Sequence, residues 1–218
     1  MSNARNLLYE KRKTFPELRP FPLSLDDAET ILVEESDWKN VIDCLQSKNH
    51  FDNIAALSFL MHISDKYKMD ELPKNIFNLL LEKIPYYFSH HDKQLRHLSH
   101  GFFVTLREYY DNYREKMLEL LSSDDVGDRR TALYNYLTFS KSNEVSPLMS
   151  FQKDDYAAEQ RMAGPYVYEF RNYALSLIEE ISGQSFDSKE LSKSYEGSMV
   201  TWKDWGGCVL WWSKKNAR

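Results

Sequence analysis

The sequence contains few of the residues that make tight turns. Glycine and proline occur only 7 times each among 218 residues. An all-β protein of this size needs many tight turns and usually has more of both residues. Because 42% of the residues are hydrophobic and 14% are aromatic, the chain can still fill a core, so its composition is not that of a disordered protein. These shortages favour an all-α fold.

Cysteines and long apolar runs are also scarce. Cys44 and Cys208 are the only cysteines and form no CxxC pair, so two reduced thiols in a cytosolic protein are expected. No window approaches the roughly 18 apolar residues of a membrane-spanning helix, and the start of the chain has no apolar segment of signal-peptide length. The sequence therefore predicts a cytoplasmic protein without membrane association.

Positive charge is in deficit. The formal net charge is −5 and the sequence pI is about 5.7. Binding to a phosphate backbone needs clustered Lys and Arg that release counterions, so this composition argues against nucleic acid as the main partner. A basic protein is the more natural partner, because opposite fields steer the encounter.

The apolar residues follow a helical period. Residues 1–22 are polar and contain three prolines, which predicts an N-terminal arm before a single helical domain over 23–218. Apolar side chains then recur at the three- and four-residue spacings of a buried helix face, within 38–45, 57–64, 76–80, 95–109, 117–121, 133–137 and 170–181. No segment alternates with period two for long enough to predict a strand. A short helix near 145–151 and a long loop to Pro165 are expected in the one stretch that departs from this rhythm.

One segment recurs along the chain. In residues 117–133 a Leu-rich helix is followed by a Ser/Asp turn and then by Arg129, three residues before an Ala-Leu pair. Arg171 stands at the same place before a second Ala-Leu pair, 42 residues later. Asn53 opens a degenerate copy, and Arg96 a fourth.

Residues 117–133 closely resemble one HEAT repeat, and the Trp-rich tail from Ile181 to Asn216 resembles the end of many bacterial HEAT-like proteins. The resemblance implies an α/α superhelix of about four or five helical hairpins with a Trp-rich C-terminal cap, because each hairpin must bury its apolar face against a neighbour. It also implies a structural role for Arg129 and Arg171, each pairing with an acidic turn residue of a neighbouring repeat.

Four histidines lie close together in the sequence: His90, His91, His97 and His100. Imidazole pairs can hold zinc or iron, and the HEAT-like deoxyhypusine hydroxylases bind iron through His-Glu dipeptides. This chain has no His-Glu dipeptide. We therefore expect no metal and no cofactor. The four histidines are expected to be exposed, or to lie at the edge of a turn.

Other enzyme signatures are missing as well. The chain has neither a phosphate-cradling glycine loop nor a GxSxG elbow, so we expect no enzyme. The alternative is a HEAT-like DNA glycosylase acting on alkylated bases, for which Trp202, Asp204 and Trp205 offer the residue types. A third hypothesis is a lyase or chaperone-like factor resembling the phycobilin-associated HEAT proteins.

Acidic clusters and tyrosines suggest a binding face instead. Acids favour helix N-termini and solubility, but they also form acidic interfaces that tyrosines anchor. The candidate partner-binding residues are Glu34, Glu35, Asp37, Tyr109, Tyr110, Tyr113, Asp154, Asp155 and Tyr156. The sequence thus favours a protein-binding module, most concretely a bacterial immunity protein that neutralises a basic toxin by covering its active site.

Overall fold

The structure, a computed structural model, describes residues 33–64, 67–142, 144–159, 166–195 and 198–217. The chain divides into two compact units, residues 1–111 and 112–218. The predicted arm over residues 1–22 lies outside the described residues, and the single repeat domain over 23–218 stays a prediction.

The first unit is helical in its described part. Its elements are α1 (Glu35–Gln46), α2 (His50–Ile63), a 3-10 turn (Met69–Glu71), α3 (Lys74–Tyr87), α4 (Lys93–Thr105) and a second 3-10 turn (Arg107–Tyr109). α1 packs on α2 and α3 on α4, and the two hairpins contact each other through α1 with α3 and α2 with α4. α2 lies at the centre, since every residue from Asn53 to Leu60 is buried.

The second unit combines helices with a small sheet. Its elements are α5 (Tyr113–Leu121), α6 (Val126–Tyr134), α7 (Tyr136–Phe139), a 3-10 helix (Ser146–Lys153), β1 (Ala157–Glu159), β2 (Tyr166–Tyr168), α8 (Glu169–Ser182), β3 (Glu190–Tyr195), β4 (Ser198–Lys203) and α9 (Gly206–Asn216). The strand order is β1-β2-β4-β3, with β2 and β4 parallel and the other pairs antiparallel. α8 packs on α6, β4 and the 3-10 helix, and it ends at Gly183, whose φ of 65° suits a residue without Cβ.

The prediction of a mainly helical chain is confirmed, but the expectation that no strand occurs is wrong. The short helix expected near 145–151 is present as the 3-10 helix, and β1 lies within the loop expected to follow it. The strands β1 and β2 have three residues each, too few to show an alternating pattern. A solenoid arrangement and a Trp cap stay predictions.

A hydrogen-bonded turn precedes α2. The Ser47 hydroxyl accepts the backbone N–H of Asn49 and donates to the Asp52 carboxylate. The Asn49 side chain accepts the N–H of Phe51 and so caps the helix. Asn53, the fourth residue of α2, donates its side-chain amide to the carbonyls of Cys44, Leu45 and Ser47. These bonds satisfy carbonyls that the end of α1 leaves open.

The same turn precedes α6, with the same spacing. The Ser123 hydroxyl accepts the N–H of Asp125 and donates to the Asp128 carboxylate. Asp125 caps α6 by accepting from the N–H groups of Gly127 and Asp128. Arg129 then donates to the carbonyls of Ser123 and Asp124, as Asn53 does in its own turn.

A third copy precedes α4, with histidine in the place of serine. His90 Nδ1 accepts the N–H of Asp92, the Asp92 carboxylate accepts the N–H of Leu95, and Arg96 donates to the His90 carbonyl at 3.0 Å. At Asn53, Arg96 and Arg129, what recurs is a side chain that donates to a carbonyl of the turn before its helix. Three and four residues after each of these positions, the helix carries fully buried side chains: Ala56, Leu57, Ser99, His100, Ala132 and Leu133.

The two cysteines are free and buried in the described structure. Cys208 has no solvent exposure and its sulfur lies 3.9 Å from Met149 Sδ, and burial raises the pKa of its thiol to about 11.

We expect neither thiol to react with a disulfide reagent such as DTNB in the folded protein, because the reagent needs an accessible thiolate. After denaturation both thiols should react. A Ser213→Cys variant, at an exposed position of α9, provides the reactive control; rapid labelling of one native thiol without denaturant would contradict the burial.

Candidate protein-binding surface

Helices α6 and α8 pack side by side and expose matching side chains. Arg130 and Tyr134 lie four residues apart on α6, and Glu169 and Tyr173 lie four residues apart on α8. Residues at this spacing share one helix face, so each helix presents one charged and one aromatic side chain to the other. We name these four residues the Tyr134–Tyr173 surface.

Arg130 is held in place by its neighbours on this surface. Its Nε and Nη2 donate to the two carboxylate oxygens of Glu169 at 3.2 and 3.0 Å, and Nη2 also donates to Tyr156 Oη at 3.1 Å. The hydrogen bond from Arg130 to Glu169 raises the pKa of the arginine above its already high value, so the side chain remains a cation. The guanidinium also lies over the Tyr156 and Phe170 rings, with Cζ 5.7 and 5.9 Å from their centroids.

The two tyrosines form an exposed aromatic pair. Tyr134 is 46% exposed and Tyr173 is 36% exposed, and their ring centroids are 4.6 Å apart in an edge-to-face arrangement. The Tyr134 hydroxyl donates to Glu169 Oε1, and burial together with this bond raises the pKa of that hydroxyl. The surface thus combines ordered aromatic area with a fixed charge pair, open to solvent.

The predicted partner-binding residues of the first unit differ in exposure. Glu34 and Glu35 are exposed at the start of α1, whereas Asp37 is 2% exposed and its carboxylate accepts the N–H of Glu34. Tyr109 is 56% exposed and meets Phe77 edge to face. Tyr110 instead stacks on Phe103 at 4.5 Å, and burial raises its pKa to about 12. A buried helix-capping carboxylate offers a partner little area, so these contacts favour a capping role for Asp37.

Among the predicted residues of the second unit, only Asp155 is exposed. Tyr113 is 7% exposed and its hydroxyl is 3.0 Å from Thr138 Oγ1. Asp154 Oδ2 lies 3.3 Å from Arg129 Nε, so these two predicted residues meet in an ion pair that supports a structural role for the arginine. Tyr156 stacks on Phe170 at 5.0 Å and bonds to Arg130, which places it at the border of the Tyr134–Tyr173 surface.

The four predicted histidines do not gather at one point. His90 and His91 lie 4.2 Å apart and His50 joins them, with centroids 6.3 and 6.4 Å away. His100 is buried, and its Nε2 is 2.9 Å from the Phe88 carbonyl. His97 lies beside His100 at 6.2 Å. Sequence spacing alone did not include His50 in the cluster, because it lies on another helix.

The histidine cluster predicts a pH dependence of stability. Burial, with further contributions from His91, His50 and Arg96, lowers the pKa of His90 from its ordinary 6.5. The unfolded chain therefore binds more protons than the folded one in this range, and stability falls as the pH drops below 6.5 towards the lower folded-state value. Urea unfolding of the full chain at pH 7.5 and at pH values from 6.5 downwards measures this loss.

A matched variant separates His90 from the other titrating groups. In His90→Asn the side-chain oxygen replaces Nδ1 as the acceptor for the N–H of Asp92, but the residue no longer titrates. We expect a shallower dependence of unfolding free energy on pH in the variant than in the natural chain. Equal slopes would show that His90 does not carry the effect.

The residues of the glycosylase alternative have separate environments. Trp205 is 2% exposed, and the Asp204 carboxylate accepts the N–H of Gly206, the first residue of α9. Trp202 lies on β4 with its ring against Tyr168 and Arg171. Trp211 and Trp212 are half-buried on α9, where Trp211 contacts Phe186 at 5.7 Å.

Comparison of this chain with protein-family models, with curated proteins and with solved structures found no significant match. Within the described residues, every helix is too short or too polar to cross a lipid bilayer.

Proposed function

We propose that this chain is a non-enzymatic protein-binding module of HEAT-like repeats, and most concretely a bacterial immunity protein that neutralises a basic toxin domain. The observation that carries the proposal is the Tyr134–Tyr173 surface. Tyrosine and arginine are the residue types, with tryptophan, that dominate binding energy at protein interfaces. Here two tyrosines and one arginine lie together on two packed helices.

The order of this surface supports a binding role. Association requires interface side chains to lose rotamer freedom, at about 0.5–1.5 kcal/mol for each flexible side chain. Arg130 is already fixed by Glu169 and Tyr156, and each tyrosine ring is fixed by the other. A partner that docks here therefore orders little that is not already ordered.

The repeated turn supports the HEAT-like architecture. Three helices begin after a turn that has two hydrogen bonds in common. A side chain accepts the N–H two residues later, and the fourth residue of each helix donates to the carbonyl of that same residue, six positions earlier. Stacked helical hairpins bury one face against their neighbours and leave the other face for a partner.

Charge indicates the chemistry of the partner. The chain carries a net charge of −5, and Glu34, Glu35 and Asp155 are exposed acids. A basic protein domain is attracted to such a chain over long range, which raises the association rate.

The test begins with chemical crosslinking in the native host, followed by identification of the crosslinked protein. That protein's isolated domain is then expressed in a reporter cell, with and without this chain. We expect growth arrest by the domain alone, rescue by co-expression, and a stable complex between the purified proteins. Failure to find a protein partner, together with DNA binding that weakens as salt is raised, would contradict the proposal and favour the glycosylase alternative.

A further inference from the structure

A cluster of two cations and two aromatic rings lies on one face of the small sheet. Trp202 follows the parallel register that pairs Tyr166 with Val200, so it lies beside Tyr168, and the two ring centroids are 5.4 Å apart. Lys193 pairs with Val200 on the neighbouring strand and points to the same face. We name Tyr168, Arg171, Lys193 and Trp202 the aromatic–cation cluster.

Both cations lie against the same two rings. Arg171 Cζ is 5.3 Å from the Tyr168 centroid and 5.4 Å from the Trp202 centroid. Lys193 Nζ is 5.2 and 5.9 Å from these centroids. Aromatic faces attract cations but do not neutralise their charge, so the cluster concentrates two positive charges on one surface of an acidic protein.

Arg171 differs from the other described arginines of its unit. Arg114 bonds to Glu144 at 2.7 Å, Arg129 is paired with Asp154, and Arg130 with Glu169. Among the described residues no carboxylate pairs with Arg171, and this sets it apart. Its buried Nε has no hydrogen-bond acceptor, which is also true of Nε in Arg114 and Arg129. Burial lowers the pKa of this arginine, and the carboxylate whose charge acts on it, Asp154, already serves Arg129.

A buried donor without an acceptor is costly to a fold. The two rings keep the Arg171 side chain in place despite that cost, and Lys193 is exposed on the edge strand β3 with no carboxylate partner among the described residues. A ligand that supplies acceptor oxygens and negative charge would pair with the charged ends of both side chains, although it would not reach the buried Nε.

We propose that Arg171 and Lys193 form a binding site for a phosphate group, carried either by inorganic phosphate or by a phosphate monoester. A phosphate monoester carries a charge of about −1.5 to −2 at neutral pH and has three acceptor oxygens. This charge matches the two cations, and the planar fork of arginine donates to two oxygens at once. The site is independent of the Tyr134–Tyr173 surface and of the proposed function.

The test is isothermal titration calorimetry of the full chain at constant ionic strength. Inorganic phosphate and phenyl phosphate are the two ligands, and glutarate is the carboxylate comparison. We expect saturable binding at one site for a phosphate ligand and weaker binding of glutarate. The tighter of the two phosphate ligands identifies the source of the group.

Two variants connect the binding to the cluster. Arg171→Gln is expected to weaken phosphate binding about tenfold or more, as the loss of a charge-assisted hydrogen bond predicts. Lys193→Gln changes only an exposed side chain of β3, so its fold should persist, and a weakening of several-fold is expected. Lys214→Gln, at an exposed position of α9, is the matched control and should bind as the natural chain does.

Three results would overturn the proposal: no saturable phosphate binding, equal affinity for glutarate, or unchanged affinity in Lys193→Gln. Far-UV circular dichroism of each variant shows whether the fold is kept. If Arg171→Gln unfolds, Lys193→Gln alone decides the outcome.

Discussion

Replacing Phe170 by alanine is expected to lower the free energy of unfolding by about 3–5 kcal/mol. The Phe170 side chain is fully buried. Its ring stacks on Tyr156 at 5.0 Å, meets Phe151 at 6.2 Å, and lies 5.4 Å below the Arg129 guanidinium. The substitution therefore removes the ring that joins α8 to the 3-10 helix and to the arginines of α6, and leaves a cavity that these elements cannot easily close.

Urea denaturation of the full chain, followed by far-UV circular dichroism, measures this loss. Leu210→Ala is the matched control, because Leu210 lies in the same unit and is 61% exposed; its effect should stay within about 0.5 kcal/mol. Phe170→Leu keeps most of the volume and should fall between the two. A loss below about 1 kcal/mol in Phe170→Ala would mean that the ring does not have the buried neighbours described here.

The helices could be predicted because their signal is local. The stripe over 170–181 lies within α8, and residues that share its apolar face, such as Phe170 and Ile178, are fully buried. Leu137 was wrongly assigned to a buried stripe, since it is 49% exposed. The preceding helix ends at Tyr134, and Tyr136 begins the short helix α7, so the helical period does not continue from Leu133 to Leu137.

The strands could not be predicted, because their signal is not local. β3 is an edge strand whose residues from Glu190 to Ser194 are all exposed, so no apolar alternation marks it. β2 pairs with β4, although α8 and β3 separate the two strands in the sequence. A pairing between distant segments produces no periodic pattern within either segment.

Arg129 and Arg171 show how equal sequence contexts lead to different roles. Each stands three residues before an Ala-Leu pair, and both Ala-Leu pairs are fully buried. Arg129 follows the Ser123–Asp125 turn, whose carbonyls it reaches. Arg171 follows strand β2, and no such turn precedes it, so its guanidinium rests on aromatic rings instead.

The Tyr134–Tyr173 surface could not be predicted from the sequence. Arg130 and Tyr134 lie four residues apart on α6, and Glu169 and Tyr173 have the same spacing on α8. This spacing was available in the sequence as a pattern on each helix. That the two pairs face each other depends on the packing of α6 against α8, which the helical period alone does not determine.

Replacing Tyr134 and Tyr173 together by alanine is expected to weaken partner binding about 100- to 1,000-fold. Truncation of a single interface hot spot costs about 2 kcal/mol or more, and each 1.4 kcal/mol is a tenfold change in affinity. Since the two rings contact each other, the single variants should not add up to the double one. Surface plasmon resonance with the purified partner domain measures the affinities of both single variants and the double variant.

Two further variants define what the tyrosines contribute. Tyr86→Ala is the matched control, because this tyrosine is 74% exposed and lies in the first unit; it should bind the partner with unchanged affinity. Tyr134→Phe keeps the ring but removes the hydroxyl that donates to Glu169, so a small loss would assign the binding energy to aromatic area. A loss as large as that of Tyr134→Ala would assign it to the Arg130–Glu169 charge pair that the hydroxyl orients. If the double variant binds as tightly as the natural chain while Tyr86→Ala does not, the partner docks on the first unit, and the Tyr134–Tyr173 surface is not the interface.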